Sequence, residues 1–201
     1  MTKNLLPYKN ILLVAIAMLF INAAPGVNNY TLAAGYTVTI NGTSNLHDWI
    51  EKVENVSGTG AVSWNSDGSF DLNTMTIKME VRSIKSDQGS IMNNNTYKAL
   101  KADDHPQIIF TIRVPVKSIQ ASVKKEISVM GNLSIAGKMN PVNMQVKVFM
   151  QENGKLAFEG SKQIKMTDFN VEPPQAFFGT LKTGNDITLN FITSFNLIPN
   201  P

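Results

Sequence analysis

The sequence predicts an all-β protein: one closed antiparallel barrel of about eight strands, with a single short helix added. Three observations point there. First, apolar residues alternate with polar ones over long stretches. Ile187, Leu189, Phe191, Thr193, Phe195 and Leu197 share one parity, with Thr188, Asn190, Ser194 and Asn196 between them. Val142, Met144, Val146, Val148 and Met150 repeat the pattern, as do Met75, Ile77, Met79 and Val81. Successive side chains of a strand point to opposite faces, so each stretch has one apolar and one wet face. Second, turn-forming residues punctuate these stretches at Asn65-Ser66-Asp67-Gly68, Asn153-Gly154 and Thr183-Gly184-Asn185. Third, only one segment shows a helical period.

The elements follow in order. Lys3 and Lys9 flank the start of an 11-residue apolar run, Ile11 to Ile21, and small residues follow at Ala23 and Ala24. A basic start, a short apolar core and a small-residue exit describe an export signal, assigned here to 1–24. The run falls short of the ~20 residues that span a bilayer. Residues 25–35, with Gly26 and Asn28-Asn29, read as a flexible leader. The domain is 36–198, with strands near 36–45, 51–64, 69–82, 107–120, 123–137, 142–151, 155–166 and 186–198. Apolar parity switches between Phe70, Leu72 and Met75, Ile77, which predicts a bulge near Asn73-Thr74. Pro115 and Pro141 fit strand ends or edges. The helix is expected over 92–102, capped by Asn93 or Asn94, with Met92, Thr96, Tyr97 and Leu100 on one side and Pro106 beyond its end.

The domain of about 165 residues is large enough to bury roughly 70% of its unfolded surface. The chain has no Cys, so no disulfide stabilises it and N-terminal cysteine lipidation is excluded. Net charge is +3, and removing the signal's two lysines leaves +1. With no basic stripe interleaved with aromatics, nucleic acid is not an expected partner.

Two constellations invite a chemical reading. His47 beside Asp48 is half of a proton-transfer pair only if both side chains converge, and neighbouring strand residues diverge. No nucleophile motif accompanies them. The plainer reading is a strand-end corner, with Trp49 inward and Asp48 bonding backbone amides. His47 and His105, the only histidines, with Asp103 and Asp104 lack the spacing of a metal site. No catalytic residue, metal ligand or cofactor motif is assigned.

The inward parity set comprises Val38, Ile40, Ile77, Met79, Phe110, Ile112, Val146, Val148, Leu189 and Phe191. In a small barrel such residues often just fill the interior. Ten Met residues, an adaptable apolar side chain, favour a cavity. So do Phe177 and Phe178 on a Pro-rich connector; that loop and the helix, with Tyr97 and Leu100, are expected to flank the mouth, and Trp49 joins the cavity-lining set. The expected ligand is a hydrophobic small molecule; the alternative is a filled barrel with a structural or envelope-stress role. Contact with a membrane is transient at most, and monomer and homodimer both stay open.

Several segments, taken in order, resemble the YceI-like family. They are Gly42-Thr43-Ser44-Asn45-Leu46-His47-Asp48-Trp49, Val81-Arg82-Ser83-Ile84-Lys85-Ser86, Ala99-Leu100-Lys101 and His105-Pro106-Gln107-Ile108-Ile109-Phe110. Gly131-Asn132-Leu133-Ser134-Ile135-Ala136-Gly137 and Ile164-Lys165-Met166-Thr167-Asp168-Phe169-Asn170-Val171 complete the series. The resemblance covers 36–198. It implies a lipocalin-like barrel with an added helix, exported to the periplasm or beyond. Its interior would hold an isoprenoid or other lipid-like chain, without catalysis. The Leu-His-Asp-Trp form resembles a sub-branch. Asn93-Asn94-Asn95 stands where many relatives carry an Arg-Asp pair.

Overall fold

A computed structural model describes residues 26–151, 153–176 and 179–199. The segment assigned to the export signal, and Phe177 and Phe178, lie outside the described residues.

Thirteen strands form one sheet system: β1 Val27–Leu32, β2 Thr37–Ser44, β3 Trp49–Val53, β4 Val56–Trp64, β5 Ser69–Glu80, β6 Ile84–Ser86, β7 Gln107–Ile112, β8 Val116–Gln120, β9 Lys125–Ile135, β10 Lys138–Met150, β11 Leu156–Lys165, β12 Gln175–Ala176 and β13 Leu181–Leu197. A helix α1, Ser90–Ala99, and two 3-10 turns, Val81–Ser83 and Met166–Phe169, interrupt them. Neighbours run β1-β4-β5-β7-β9-β10-β11-β13, and β13 pairs back to β1. This is a closed eight-stranded antiparallel barrel. Closure pairs every stave with a neighbour on both sides along at least part of its length, which suits a chain with no disulfide to hold it.

The eight predicted strands reappear as eight long staves, several of them broken. β1 with β2, β3 with β4, β5 with β6, and β7 with β8 each form one stave. Three breaks align across neighbours. Tyr36, at the first, donates its hydroxyl to Glu54 O at 2.9 Å and accepts from Val56 N at 3.0 Å. Asn55, at the second, donates its amide to Ser83 Oγ at 2.9 Å, beside the 3-10 turn of the third stave. Beyond this line of kinks β2, β3 and β6 form a flap paired to the first part of β13. The helix α1 follows β6 and packs against it and the 3-10 turn before it; β6 and β7 do not pair. Pro115 breaks β7 from β8.

The structure corrects several expectations. Residues 27–32 are strand, not leader: β1 pairs with both β4 and β13, and Tyr30 is buried. Tyr30 is the one fully buried side chain of β1, with Leu32 partly buried against the core, so its Asn-rich sequence carries little alternation, and ring closure supplies the order instead. Thr183-Gly184-Asn185 is no turn but a register shift inside β13 opposite β2. Its Asn185 exchanges two hydrogen bonds with Thr167, at 3.0 and 2.9 Å. The helix starts at Ser90 behind Gly89, with no side-chain cap. Asn93 Oδ1 instead accepts the Ser86 amide at 2.8 Å, tying helix to flap. The predicted bulge is present: Ala61 faces Thr74 and Val62 faces Leu72, leaving Asn73 as the extra residue.

Candidate functional site: an apolar interior in two chambers

The inward faces of the staves do not fill the barrel. Two apolar cavities remain, with about 80 and 90 Å³ of room for the centres of water-sized spheres. A single water needs roughly 10–15 Å³ on that measure. They share Met79, Leu133, Ile164 and Leu189, so these four side chains form a waist between two chambers of one interior.

The outer chamber lies beneath α1. The helix contributes Met92, Asn95, Thr96, Ala99 and Leu100, and the flap contributes Ile40, Trp49 and Glu51. Met166, Phe169, Val171 and Pro174 close it from the connector after β11. Trp49 fits because Gly42 opposite has no side chain: a Cβ there would stand 2.2 Å from the indole. The indole Nε1 donates to Thr43 O at 3.0 Å. Glu51 is only 2% exposed, and Thr96 Oγ1 donates to its Oε1 at 2.6 Å. Burial in apolar surroundings raises its pKa above the ordinary 4.5, and the Thr96 hydrogen bond partly opposes that.

The inner chamber is walled by regular strands. Val38, Ile77, Phe110, Val146, Phe158 and Phe191 line it, with Met75, Met144 and Phe195. Phe158 meets Phe195 edge to face at 5.5 Å. Its one cationic side chain is Lys162, which is half-buried. Beside Lys162 the wall parts. β10 pairs with β11 only over Val146–Met150, so 138–145 and 161–165 run on without pairing to each other. Asn140 Nδ2 bridges from the free part of β10 to Asp168 O at 2.6 Å.

Of the residues expected at a cavity or its mouth, Ile40, Trp49, Met79, Leu100 and Leu189 line the outer chamber. Val38, Ile77, Met79, Phe110, Val146, Leu189 and Phe191 line the inner one. Three do not line either. Val148 and Ile112 are buried in the packed wall. Tyr97 points away from the chamber and braces the helix. Its hydroxyl accepts from Lys85 Nζ at 2.7 Å and lies 2.9 Å from Arg82 O, with Arg82 and Lys85 over the ring.

The Leu46-His47-Asp48 corner is exposed, and Trp49 turns inward from it. Ser44 Oγ, rather than Asp48, accepts the amides of Leu46 and His47 at 3.2 and 3.1 Å. His47 Nδ1 lies 2.7 Å from Asp48 O, so the ring contacts the backbone and not the carboxylate. His105 packs over the Ala136-Gly137 hairpin turn, where both residues have positive φ and a Cβ on Gly137 would strike the imidazole at 2.5 Å. Among the described residues no three His, Asp or Glu side chains gather as a metal site would need.

Sequence reading missed Glu51, although a signal was present. Trp49, Glu51 and Val53 share one parity, and β3 buries all three. Joining 51–64 into a single strand hid that register, because β3 and β4 are separate at Glu54-Asn55.

An antiparallel eight-stranded barrel with an apolar, partly helix-covered interior has the lipocalin-like architecture. Within that architecture, this chain belongs to the YceI-like domain family, matched over residues 30–195. Solved structures share the fold. A polyisoprenoid-binding domain from Saccharophagus degradans, implicated in plant cell wall breakdown, superposes with TM-score 0.63 at 12% identity, covering 84% of this chain and 98% of that one. BcnA of Burkholderia cenocepacia gives 0.56 at 19% identity, over 79% and 95%. A YceI protein of Campylobacter jejuni gives 0.55 at 17%, over 75% and 85%. No curated protein matches the chain in sequence.

Proposed function

We propose that this protein is an exported, non-catalytic binding protein that holds a long apolar chain, an isoprenoid or similar lipid, inside the barrel. The observation that carries the reading is the pair of apolar chambers joined at Met79, Leu133, Ile164 and Leu189. Such a cavity favours apolar chain over water, and each buried methylene contributes about 0.8 kcal/mol. The polyisoprenoid-binding relative from Saccharophagus degradans supports the same ligand class. The basic, apolar and small-residue sequence of 1–24 supports export.

The test is native mass spectrometry of protein purified gently from its own host, with organic extraction of any adduct. A co-purifying isoprenoid or lipid is expected. A ligand-free barrel that also takes up no long-chain isoprenoid in vitro would replace this reading with a filled structural barrel. N-terminal sequencing of the exported material is expected to find residues up to about 24 removed.

A further inference from the structure

Among the described residues the outer chamber contains one ionisable side chain, and it is an acid. Glu51 stands between Trp49 and Val53 on the inward face of β3, nearly sealed from solvent. Thr96 holds one of its carboxyl oxygens; the other makes no hydrogen bond among the described residues and keeps some accessible surface. Among the described residues no lysine, arginine or histidine lines this chamber; Lys162 belongs to the inner one. An evolved barrel that needed only grease would place an apolar residue here, since a lone buried carboxyl is costly.

We propose that Glu51, oriented by Thr96, is the polar-end site of the cavity, binding the uncharged hydroxyl or carbonyl terminus of a long apolar ligand whose chain runs through the waist into the inner chamber. This rests on the reading of the barrel as a holder of apolar chains, and adds which end group it selects. A hydroxyl or carbonyl satisfies the remaining carboxyl oxygen without adding charge. A phosphate would bring a second acidic group into an apolar chamber with no cation to pair it. Burial shifts Glu51 toward its protonated form, the form that donates to a carbonyl, while its oxygens accept from a hydroxyl.

The experiment measures binding of geranylgeraniol and of geranylgeranyl monophosphate to the delipidated protein and to Glu51→Gln, Glu51→Leu and Lys162→Gln variants. All should fold, since each replacement removes charge from an interior position, and thermal melting checks this. The wild type is expected to prefer the alcohol by about tenfold or more. Glu51→Leu should lose about that factor for the alcohol, and Glu51→Gln should keep most of it. Lys162→Gln should change alcohol binding little. The assignment is overturned if the wild type binds the phosphate as well as the alcohol, above all if Lys162→Gln then abolishes phosphate binding. It is overturned equally if Glu51→Leu binds the alcohol unchanged. If no variant binds either probe, the binding function itself fails, and this assignment with it.

Discussion

The two chambers sit in one barrel yet are built differently. The inner one is walled by long regular strands, and those strands deliver aromatic and aliphatic side chains: Phe110, Phe158, Phe191 and Phe195 from β7, β11 and β13. The outer one is walled by irregular pieces, namely the kinked flap, the helix and the 3-10 turn after β11. Those pieces deliver Glu51, Asn95 and Thr96 beside apolar groups, and the register shift in β13 adds Thr183. The difference teaches where recognition chemistry enters a barrel. The regular staves supply most of the volume, with Lys162 and Thr193 as their polar members, whereas the flap and the helix bring an acid and its hydroxyl partner, Glu51 and Thr96, to one chamber.

The comparison is broken most forcefully by adding charge to the inner chamber. Phe195 is 1% exposed, and Phe195→Asp would bury an unpaired carboxylate. A loss of about 3–5 kcal/mol is expected, read by urea denaturation. Val148→Asp, in the packed wall, should behave the same way. Glu51→Leu in the outer chamber should instead leave stability equal or higher, because it removes a buried acid. Equal tolerance of Phe195→Asp would show that the chambers do not differ as described.

The waist offers a sharper test. Ile164 borders both chambers, and Ile164→Trp should plug the passage at a cost of about 1–3 kcal/mol in overpacking. Geranylgeraniol, long enough to need both chambers, should then bind about tenfold or more weakly, at the factor that corresponds to about 1.4 kcal/mol. Geraniol, short enough for one, should keep its affinity. If both lose affinity alike, the chambers do not act as one continuous channel.

Much of this arrangement was legible in the sequence, and the misses share one cause. Period-two parity placed Val38, Ile77, Phe110 and Phe191 on the inward face, where the structure has them, and marked the bulge at Asn73. Where a stave is short or broken, parity has too few residues to speak. β1 buries only Tyr30 among six residues, and β3 has five residues in all, so neither the first strand nor the inward Glu51 stood out. Tyr97 lies on the helical side expected to face the cavity, but Lys85 and two backbone carbonyls hold its hydroxyl away from it. Three-residue β6, tied to the helix by Asn93, likewise depends on tertiary contacts that no local pattern records.

The mildest test sets the interior acid against an acid of the barrel's outside. Burial raises the Glu51 pKa above 4.5, so the folded protein binds this proton more tightly than the unfolded chain does. Stability from this group is therefore greatest below pH 4.5 and declines as pH rises through the folded pKa. Asp71 is the opposite case. The Ser118 amide and Lys117 ammonium, both at 2.9 Å, hold its carboxylate down at about 2, against an ordinary 3.8. Its contribution is complete above pH 3.8 and is lost as pH falls toward 2. Urea denaturation of the wild type, Glu51→Gln and Asp71→Asn across pH 2 to 8 separates the two groups. Glu51→Gln should flatten the decline above pH 4.5 and leave the acid limb alone. Asp71→Asn should shallow the acid limb, with a small effect because the site is open to solvent, and leave the upper range unchanged. If Asp71→Asn instead alters the upper range, or Glu51→Gln the acid limb, the two carboxyls do not have the environments that separate the chamber from the surface.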